Sequence, residues 1–192
     1  MMTNALRHAR ACLLLLLAAA APAGAHAQAG APASSAAAHD GARAFDFEFG
    51  EWTVQISRLV EPLSGSTAWA EYTGTSVVRP VWGGHANLGE LEVNGATGRI
   101  QGMSLRLYDP AARQWKISWA SSRDGALGPP MIGGFRDDGT GEFYNQETFN
   151  GRAVFVRFVF SGITANAFRL EQAFSADGGK SWEVNWIARF QR

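Results

Sequence analysis

Cysteine, histidine and clusters of basic residues are scarce in this sequence of 192 residues. The one cysteine, Cys12, lies within a predicted signal peptide, so the mature chain has no thiol for a disulfide, a nucleophile or a metal site. Once that peptide is removed, acidic residues slightly outnumber basic residues, and the basic residues form no cluster. This charge pattern argues against nucleic acid or an anionic membrane surface as a partner.

The long apolar run of the sequence is confined to its N-terminal region. Residues 13–21 follow Arg7 and Arg10, and they precede Ala25-His26-Ala27, the small-x-small pattern that signal peptidase cleaves. We therefore predict a signal peptide over residues 1–27 and an exported protein, either periplasmic or secreted. Because a bilayer-spanning helix needs about 20 apolar residues, no transmembrane segment is expected after cleavage.

The mature chain divides into a linker and one domain. Residues 28–44 consist almost entirely of Ala, Gly, Ser and Pro, a composition that cannot bury enough apolar surface to offset the entropy lost on ordering. We predict that this segment is a flexible linker and that residues 45–192 form a single domain. That length suffices for one sizeable hydrophobic core.

Short aromatic-rich runs alternate with turns throughout the predicted domain. Asn94-Gly95, Asn150-Gly151 and the Asp177-Gly178-Gly179 segment are typical hairpin turns. We count about ten candidate strands, the first of which begins with the alternating Phe45, Phe47 and Phe49. The short connections favour an all-β fold, a single antiparallel up-and-down barrel. A two-sheet sandwich is the alternative, although it usually has longer crossovers.

Several motifs resemble those of a bacterial domain-of-unknown-function family of small, often exported proteins with a calycin-like barrel. These motifs are Phe-Glu-Phe-Gly-Glu-Trp-Thr at 47–53, Leu-Tyr-Asp-Pro at 107–110 with Trp115 and Trp119, Pro129-Pro130, and Glu171-Gln172 through Asp177-Gly178-Gly179 to Asn185-Trp186. The Gly50-x-Trp52 opening is similar to the start of lipocalins and nitrobindins, where the tryptophan closes one end of the barrel. The resemblance implies a lipocalin-like barrel with a cavity. It transfers no catalytic residue, because the family has no settled activity.

Metal and cofactor motifs are not found. Nitrobindins hold haem through a histidine, but only His39 and His85 remain in this chain after the signal peptide. Glu90-x-Glu92 lacks a second histidine or the repeated oxygen spacing of a metal site. We therefore predict no cofactor and no metal, and we leave the oligomeric state open.

The seven tryptophans suggest an aromatic-lined cavity that binds a small apolar or amphipathic ligand. The predicted wall residues are Trp69, Trp82, Tyr108, Trp119, Arg157, Gln172 and Trp186. Two alternatives remain open at this point. One is an enzyme that uses the same cavity through His85 or Glu171. The other is a solid barrel, filled by its own side chains, that acts through its surface as an envelope interaction module.

Two further patterns have a structural and a functional interpretation. Ser104, Arg106 and Tyr108 alternate with three apolar residues, so they line either a cavity or the solvent-facing surface. The segment from Ser175 to Trp182 matches one Asp-box of the kind that sialidase propellers repeat in every blade. Because only one copy is present, we interpret Asp177 as the cap of a hairpin turn.

Overall fold

The structure, a computed structural model, describes residues 41–192. This part of the chain contains ten antiparallel strands. The predicted signal peptide and most of the predicted linker lie outside this range. The strands are β1 (Gly50–Leu59), β2 (Trp69–Val81), β3 (Ala86–Gly95), β4 (Gly98–Asp109), β5 (Gln114–Ser121), β6 (Met131–Phe135), β7 (Gly141–Phe149), β8 (Arg152–Ser161), β9 (Ala167–Ser175) and β10 (Glu183–Gln191). No helix within residues 41–192 is long and apolar enough to cross a membrane.

Each strand pairs with its sequence neighbours, and β1 closes the barrel by pairing with β10. The predicted up-and-down barrel is therefore confirmed, and the two-sheet sandwich is excluded. Closure leaves no free sheet edge in this strongly aromatic chain, which removes an aggregation hazard. Inward-facing side chains alternate with outward-facing ones along every strand.

The hairpin turns lie where the sequence predicts them, except that the turn predicted at Asn94-Gly95 lies two residues later. Asn150 and Gly151 both have positive φ, 49° and 75°, as a tight two-residue hairpin turn requires. Asn94-Gly95, in contrast, is not a turn. Both residues remain in β3, where Gly95 pairs with Gly98, and the chain reverses through residues 96–97. Gly95 instead permits close packing, because a Cβ there would lie 2.2 Å from the carbonyl oxygen of Glu71.

The segment Gly41–Phe49 differs most from the sequence prediction. The alternating phenylalanines do not begin β1, because Asp46–Glu48 forms a short 3-10 helix that blocks one end of the barrel. The first strand starts only at Gly50, whose φ of +112° turns the chain into the wall. Residues 41–44 of the predicted linker also pack here: Ala42 is buried, and the carbonyl of Gly41 accepts a hydrogen bond from the Trp115 indole. We call residues 41–49 the plug.

Phe45 anchors the plug in the aromatic core. Its ring is completely buried, with centroids 5.0 to 5.7 Å from those of Trp115, Phe135, Phe143 and Phe160. Several of these contacts are edge-to-face, the arrangement that the aromatic quadrupole favours. Burial of one phenylalanine contributes about 1.5–3 kcal/mol relative to exposure.

Trp52 of β1 and Arg192, the residue that follows β10, close the same end of the barrel. The Trp52 indole donates to the Glu48 carbonyl at 2.7 Å, and the Arg192 guanidinium lies 4.1 Å from the centre of the indole ring. Arg192 also donates to the carbonyl of Phe49 at 2.7 Å. The tryptophan of the Gly50-x-Trp52 motif therefore lies at the closed end of the barrel.

The single Asp-box forms the β9–β10 turn. The Asp177 carboxylate accepts hydrogen bonds from the amides of Lys180 and Ser181 and from the hydroxyls of Ser175 and Ser181. These bonds, that of the Ser181 hydroxyl foremost, hold the pKa of Asp177 well below its usual range. The geometry agrees with the interpretation of Asp177 as a turn cap.

Two adjacent glycines of β6 provide a test of the close approach between β6 and β7. A Cβ on inward-facing Gly133 would lie 1.9 Å from the carbonyl oxygen of Glu142, whereas a Cβ on Gly134 would meet no atom within 4 Å. We expect Gly133→Ala to lower the free energy of unfolding by about 1–3 kcal/mol because the backbone of β7 must move. Urea denaturation measures the change.

Gly134→Ala is the matched control and should leave stability unchanged or raise it by up to about 1 kcal/mol, since it only restricts the unfolded chain. Equal losses from the two variants would contradict the close approach of β6 and β7.

Candidate ligand-binding cavity

A cavity of about 690 Å³ occupies the barrel interior between the plug and the opposite end. That volume lies within the range of roughly 300–1,000 Å³ that is typical of small-molecule sites. The apolar lining side chains are Ile56, Val78, Leu91, Ile100, Ile117, Trp119, Leu127, Met131, Phe158, Phe160, Phe168, Leu170, Trp186, Ala188 and Phe190. Hydrophobic surface therefore covers most of the wall, and the charged lining residues outside the floor are Arg58, Glu90, Arg123, Asp124 and Glu147.

Trp119 is the least covered aromatic ring of this wall. It shares the inward face of β5 with Ile117 and pairs with Ser104 on β4, yet 38% of its surface remains exposed. The ring rests on Gly102, where a Cβ would lie 2.3 Å from the indole. An indole held inside a cavity with much of its surface uncovered offers apolar area that a ligand can bury.

The floor of the cavity carries a buried ion pair. Glu48 of the plug and Arg106 of β4 approach to 2.6 Å between carboxylate oxygen and Nη1, and both side chains are more than nine-tenths buried. The same Nη1 donates to the Asn87 side-chain oxygen at 2.9 Å. The guanidinium also lies 5.0 Å from the centre of the Phe45 ring. The floor therefore combines a charged pair with the aromatic core.

Burial and pairing oppose each other in the titration of this pair. Burial raises the pKa of the Glu48 carboxyl above its ordinary value, and the Arg106 charge opposes that rise. Burial likewise lowers the pKa of Arg106, against the effect of Glu48. Each residue supplies the counter-charge that the other needs in a low-dielectric site, so the floor as a whole is electrically neutral.

Polar hydrogen-bonding capacity on the floor is not fully used. Arg106 Nε and Asn87 Nδ2, two donors, and Glu48 Oε2, an acceptor, are buried and have no hydrogen-bond partner within residues 41–192, although Glu48 Oε2 forms the ion pair with Arg106 Nη1. The Ser104 hydroxyl lies beside Arg106, because a Cβ added to Gly89 would be 2.7 Å from Ser104 Oγ and 3.3 Å from Arg106 Nη1. The missing side chain at Gly89 therefore lets both groups pack closely against the β3 backbone.

A bulge in β10 shapes the opposite wall. Val184 and Trp186 pair with Ala173 and Gln172, so Asn185 is the extra residue. The Gln172 amide donates to the side-chain oxygen of Asn185 at 2.8 Å. Bulges redirect the side chains that follow them, and beyond this one Trp186 faces the cavity.

The β5–β6 loop borders the mouth of the cavity. An isolated bridge joins Ala120 to Leu127, and the amide of Gly128 donates to the Trp119 carbonyl at 2.8 Å. Arg123 of this loop donates to the carbonyl of Arg99 on the neighbouring hairpin at 2.7 Å. These contacts hold the loop beside the opening, where residues 123–124 and 126–129 contribute to the lining.

The structure brings three of the seven sequence-predicted wall residues to the cavity: Trp119, Gln172 and Trp186. Tyr108 faces inward but packs on Trp115 at the closed end, beneath the cavity.

The other three predicted wall residues lie outside the cavity lining. The Trp69 side chain is on the outward face of β2, and Trp82 is 75% exposed in the β2–β3 connection. Arg157 faces outward on β8, where it stacks on Trp182 with the guanidinium 4.5 Å from the ring centre.

Sequence reasoning missed the Glu48–Arg106 pair. The alternation of Ser104, Arg106 and Tyr108 was the available signal, and the structure shows that this polar set faces the interior. Glu48 gave no signal, because Phe-Glu-Phe was interpreted as part of a strand.

Neither residue considered for catalysis lines the cavity. His85 lies at the closed end near Tyr108, and Glu171 faces outward on β9, paired with Arg169. Within the described residues 41–192, no group of three or more potential metal ligands occurs.

Comparison with known proteins shows the fold alone. No protein-family model and no curated protein matches the sequence. The S-type phycobiliprotein lyase CPES from Guillardia theta has a similar structure, with a TM-score of 0.54, 13% identity and coverage of 77% of this chain and 89% of the lyase. EF1p2_mFAP2b bound to DFHBI has a TM-score of 0.43 and 11% identity over 79% of this chain and 98% of its own. A fluorescence-activating beta barrel of de novo design has a TM-score of 0.42 and 11% identity over 78% of this chain and 97% of its own.

The buried ion pair should behave as one energetic unit. We expect Arg106→Met to lower the free energy of unfolding by about 3–5 kcal/mol, because it leaves the Glu48 carboxylate buried without a counter-charge. The double variant Glu48→Met/Arg106→Met should lose at least about 1 kcal/mol less than the sum of the two single variants. Urea denaturation of all four proteins measures this coupling, and additive losses would contradict a direct pair on the floor.

Proposed function

We propose that this protein is an exported binding protein that holds a small apolar or amphipathic molecule in the barrel cavity. The proposal rests on one observation, a cavity of about 690 Å³ with an apolar wall and a partly exposed indole. The N-terminal sequence pattern supports export. The resemblance to exported proteins with calycin-like barrels is consistent with both parts of the proposal.

The cavity favours this function over the alternatives. A solid barrel would have its interior filled by its own side chains, whereas this barrel encloses a volume suited to a small molecule. The enzyme alternative receives no support from His85 or Glu171, since neither contributes to the cavity lining. The lyase with a similar structure has only 13% sequence identity, so its chemistry is not carried over to this chain.

A fluorescent apolar compound tests the proposal. N-phenyl-1-naphthylamine should bind saturably, with one site per barrel, and its emission should rise on leaving water. We expect Trp119→Ala to weaken this affinity by about tenfold, because the indole supplies aromatic contact area inside the cavity. Fluorescence titration gives both dissociation constants.

Trp82→Ala is the matched control, because it removes an indole that is 75% exposed outside the cavity. The affinity of Trp82→Ala for N-phenyl-1-naphthylamine should equal that of the wild type. Circular dichroism should show that both variants are folded. Absence of saturable binding, or equal losses in the two variants, would refute binding in the cavity.

A further inference from the structure

Two indoles border the cavity from opposite walls. Trp119 of β5 and Trp186 of β10 both contribute to the lining. Around the closed barrel, β5 is reached from β10 through β9, β8, β7 and β6 or through β1, β2, β3 and β4, so the two strands lie opposite each other. Trp119 lies two residues before the end of β5, and Trp186 lies three residues after the start of β10. Both of these strand ends are at the mouth, so the two rings border the same upper part of the cavity.

Neither of these two rings has an aromatic partner. In the core below the cavity, the Phe45 ring contacts four other rings at 5.0 to 5.7 Å. Among residues 41–192, in contrast, no aromatic ring contacts that of Trp119 or that of Trp186. Trp119 is 38% exposed, and Trp186 is half-buried. A ligand ring between them would gain the aromatic contacts that both indoles lack.

Gly102 lets the Trp119 indole lie back against the wall. Gly102 is on the inward face of β4, between Ile100 and Ser104, which both line the cavity. A Cβ at Gly102 would overlap Cζ2 of the indole and would lie 2.6 Å from the carbonyl oxygen of Ala120. Because Gly102 does not have a positive φ, position 102 requires the absence of a side chain and not the conformational freedom of glycine.

A side chain at position 102 would move the Trp119 indole toward the lumen. On the other side of β5, pairing with β6 extends only as far as Ile117. Beyond that point the loop residues Leu127 and Gly128 border β5. Ile117, on the same inward face as the indole, is buried one position deeper in the barrel. The lumen is the side that is left open, so Gly102 sets the width of the gap between the two indoles.

The charges of the lining balance. On the floor, Glu48 and Arg106 neutralise each other. Glu90 alternates with inward-facing residues of β3, so its carboxylate is on the outer surface, where it pairs with Arg79 at 2.5 Å. The other charged lining residues are two cations and two anions around the mouth, Arg58, Arg123, Asp124 and Glu147. The upper wall therefore selects a ligand by its shape and not by its charge.

We propose that the ligand of this cavity is a planar fused-ring compound held between the Trp119 and Trp186 indoles, and that Gly102 sets the gap that admits it. This inference rests on the proposed function and names the ligand class for the same cavity. A planar ring system stacks on both indoles, whereas a saturated ring is thicker and an alkyl chain covers less of each ring. Gly102 is a positioning residue, because it acts through Trp119.

Three alcohols with equal carbon number test the ligand class by displacing N-phenyl-1-naphthylamine from the wild-type protein. 2-Naphthol is planar, decahydro-2-naphthol is its saturated counterpart, and 1-decanol is a chain; all three are uncharged at neutral pH. An unselective apolar cavity would bind 1-decanol, the most hydrophobic of them, most tightly. We expect 2-naphthol to bind most tightly, about tenfold more tightly than decahydro-2-naphthol. Either other alcohol in first place would overturn the ligand class.

Gly102→Ala tests the gap. This variant should weaken 2-naphthol binding about tenfold and 1-decanol binding by at most about twofold, because the displaced indole narrows the space for a ring more than for a chain. Gly133→Ala is the matched control, since its Cβ also meets a carbonyl oxygen of the neighbouring strand but lies outside the cavity lining. It should leave both affinities unchanged. Equal losses for the two alcohols in Gly102→Ala would overturn the role of Gly102.

The Trp119→Ala background separates the indole from the β5 backbone. Adding Gly102→Ala to Trp119→Ala should cause no further loss of 2-naphthol affinity, because the ring that it would displace is gone. A further loss of about tenfold would assign the effect to the Ala120 carbonyl and would overturn the role of Gly102.

Trp186→Leu tests the opposite wall and decides the matter if Gly102→Ala does not fold. It should abolish the preference for 2-naphthol over decahydro-2-naphthol, and a preference that persisted would contradict binding between the two indoles. Saturable N-phenyl-1-naphthylamine binding without a preference for 2-naphthol in the wild type would overturn this inference alone. Absence of that binding would overturn the proposed function as well.

Discussion

A closed barrel of ten strands encloses more space than its inward side chains fill, and this constraint determines the rest of the structure. Barrel diameter grows with strand number, and eight strands already leave an interior that side chains just fill or that holds one small ligand. Here the plug fills one end, with Phe45 buried among four aromatic rings. The remaining volume is the cavity, so the barrel has the form of a cup.

The ion pair on the floor contributes little net stability for the free energy that its desolvation costs. Apolar side chains of similar volume often replace a buried pair with no loss of stability or with a gain, and aromatic residues already pack the plug beside it. Glu48 and Arg106 nevertheless meet at 2.6 Å beneath the cavity. Such a pair gives the cup a polar floor without net charge, which links the attachment of the plug to the chemistry of the proposed site.

The fold was predictable from the sequence because short turns and period-2 alternation are local signals, whereas the site depends on which face turns inward. Of the residues predicted for the site, Trp119, Gln172 and Trp186 line the cavity, whereas Trp69 faces outward from its strand and Trp82 lies in a connection. The plug was not predictable, because Phe45-x-Phe47-x-Phe49 has the alternation of a strand. Its 3-10 conformation depends on aromatic partners that lie far away in sequence.

Native mass spectrometry tests most directly whether this cup holds a small molecule. The full chain, purified without denaturation and exposed to an apolar extract of its source cells, should carry an added mass that is lost on denaturation. A bare protein mass under every condition would contradict the account, because a cavity of about 690 Å³ with an apolar wall would then have no occupant.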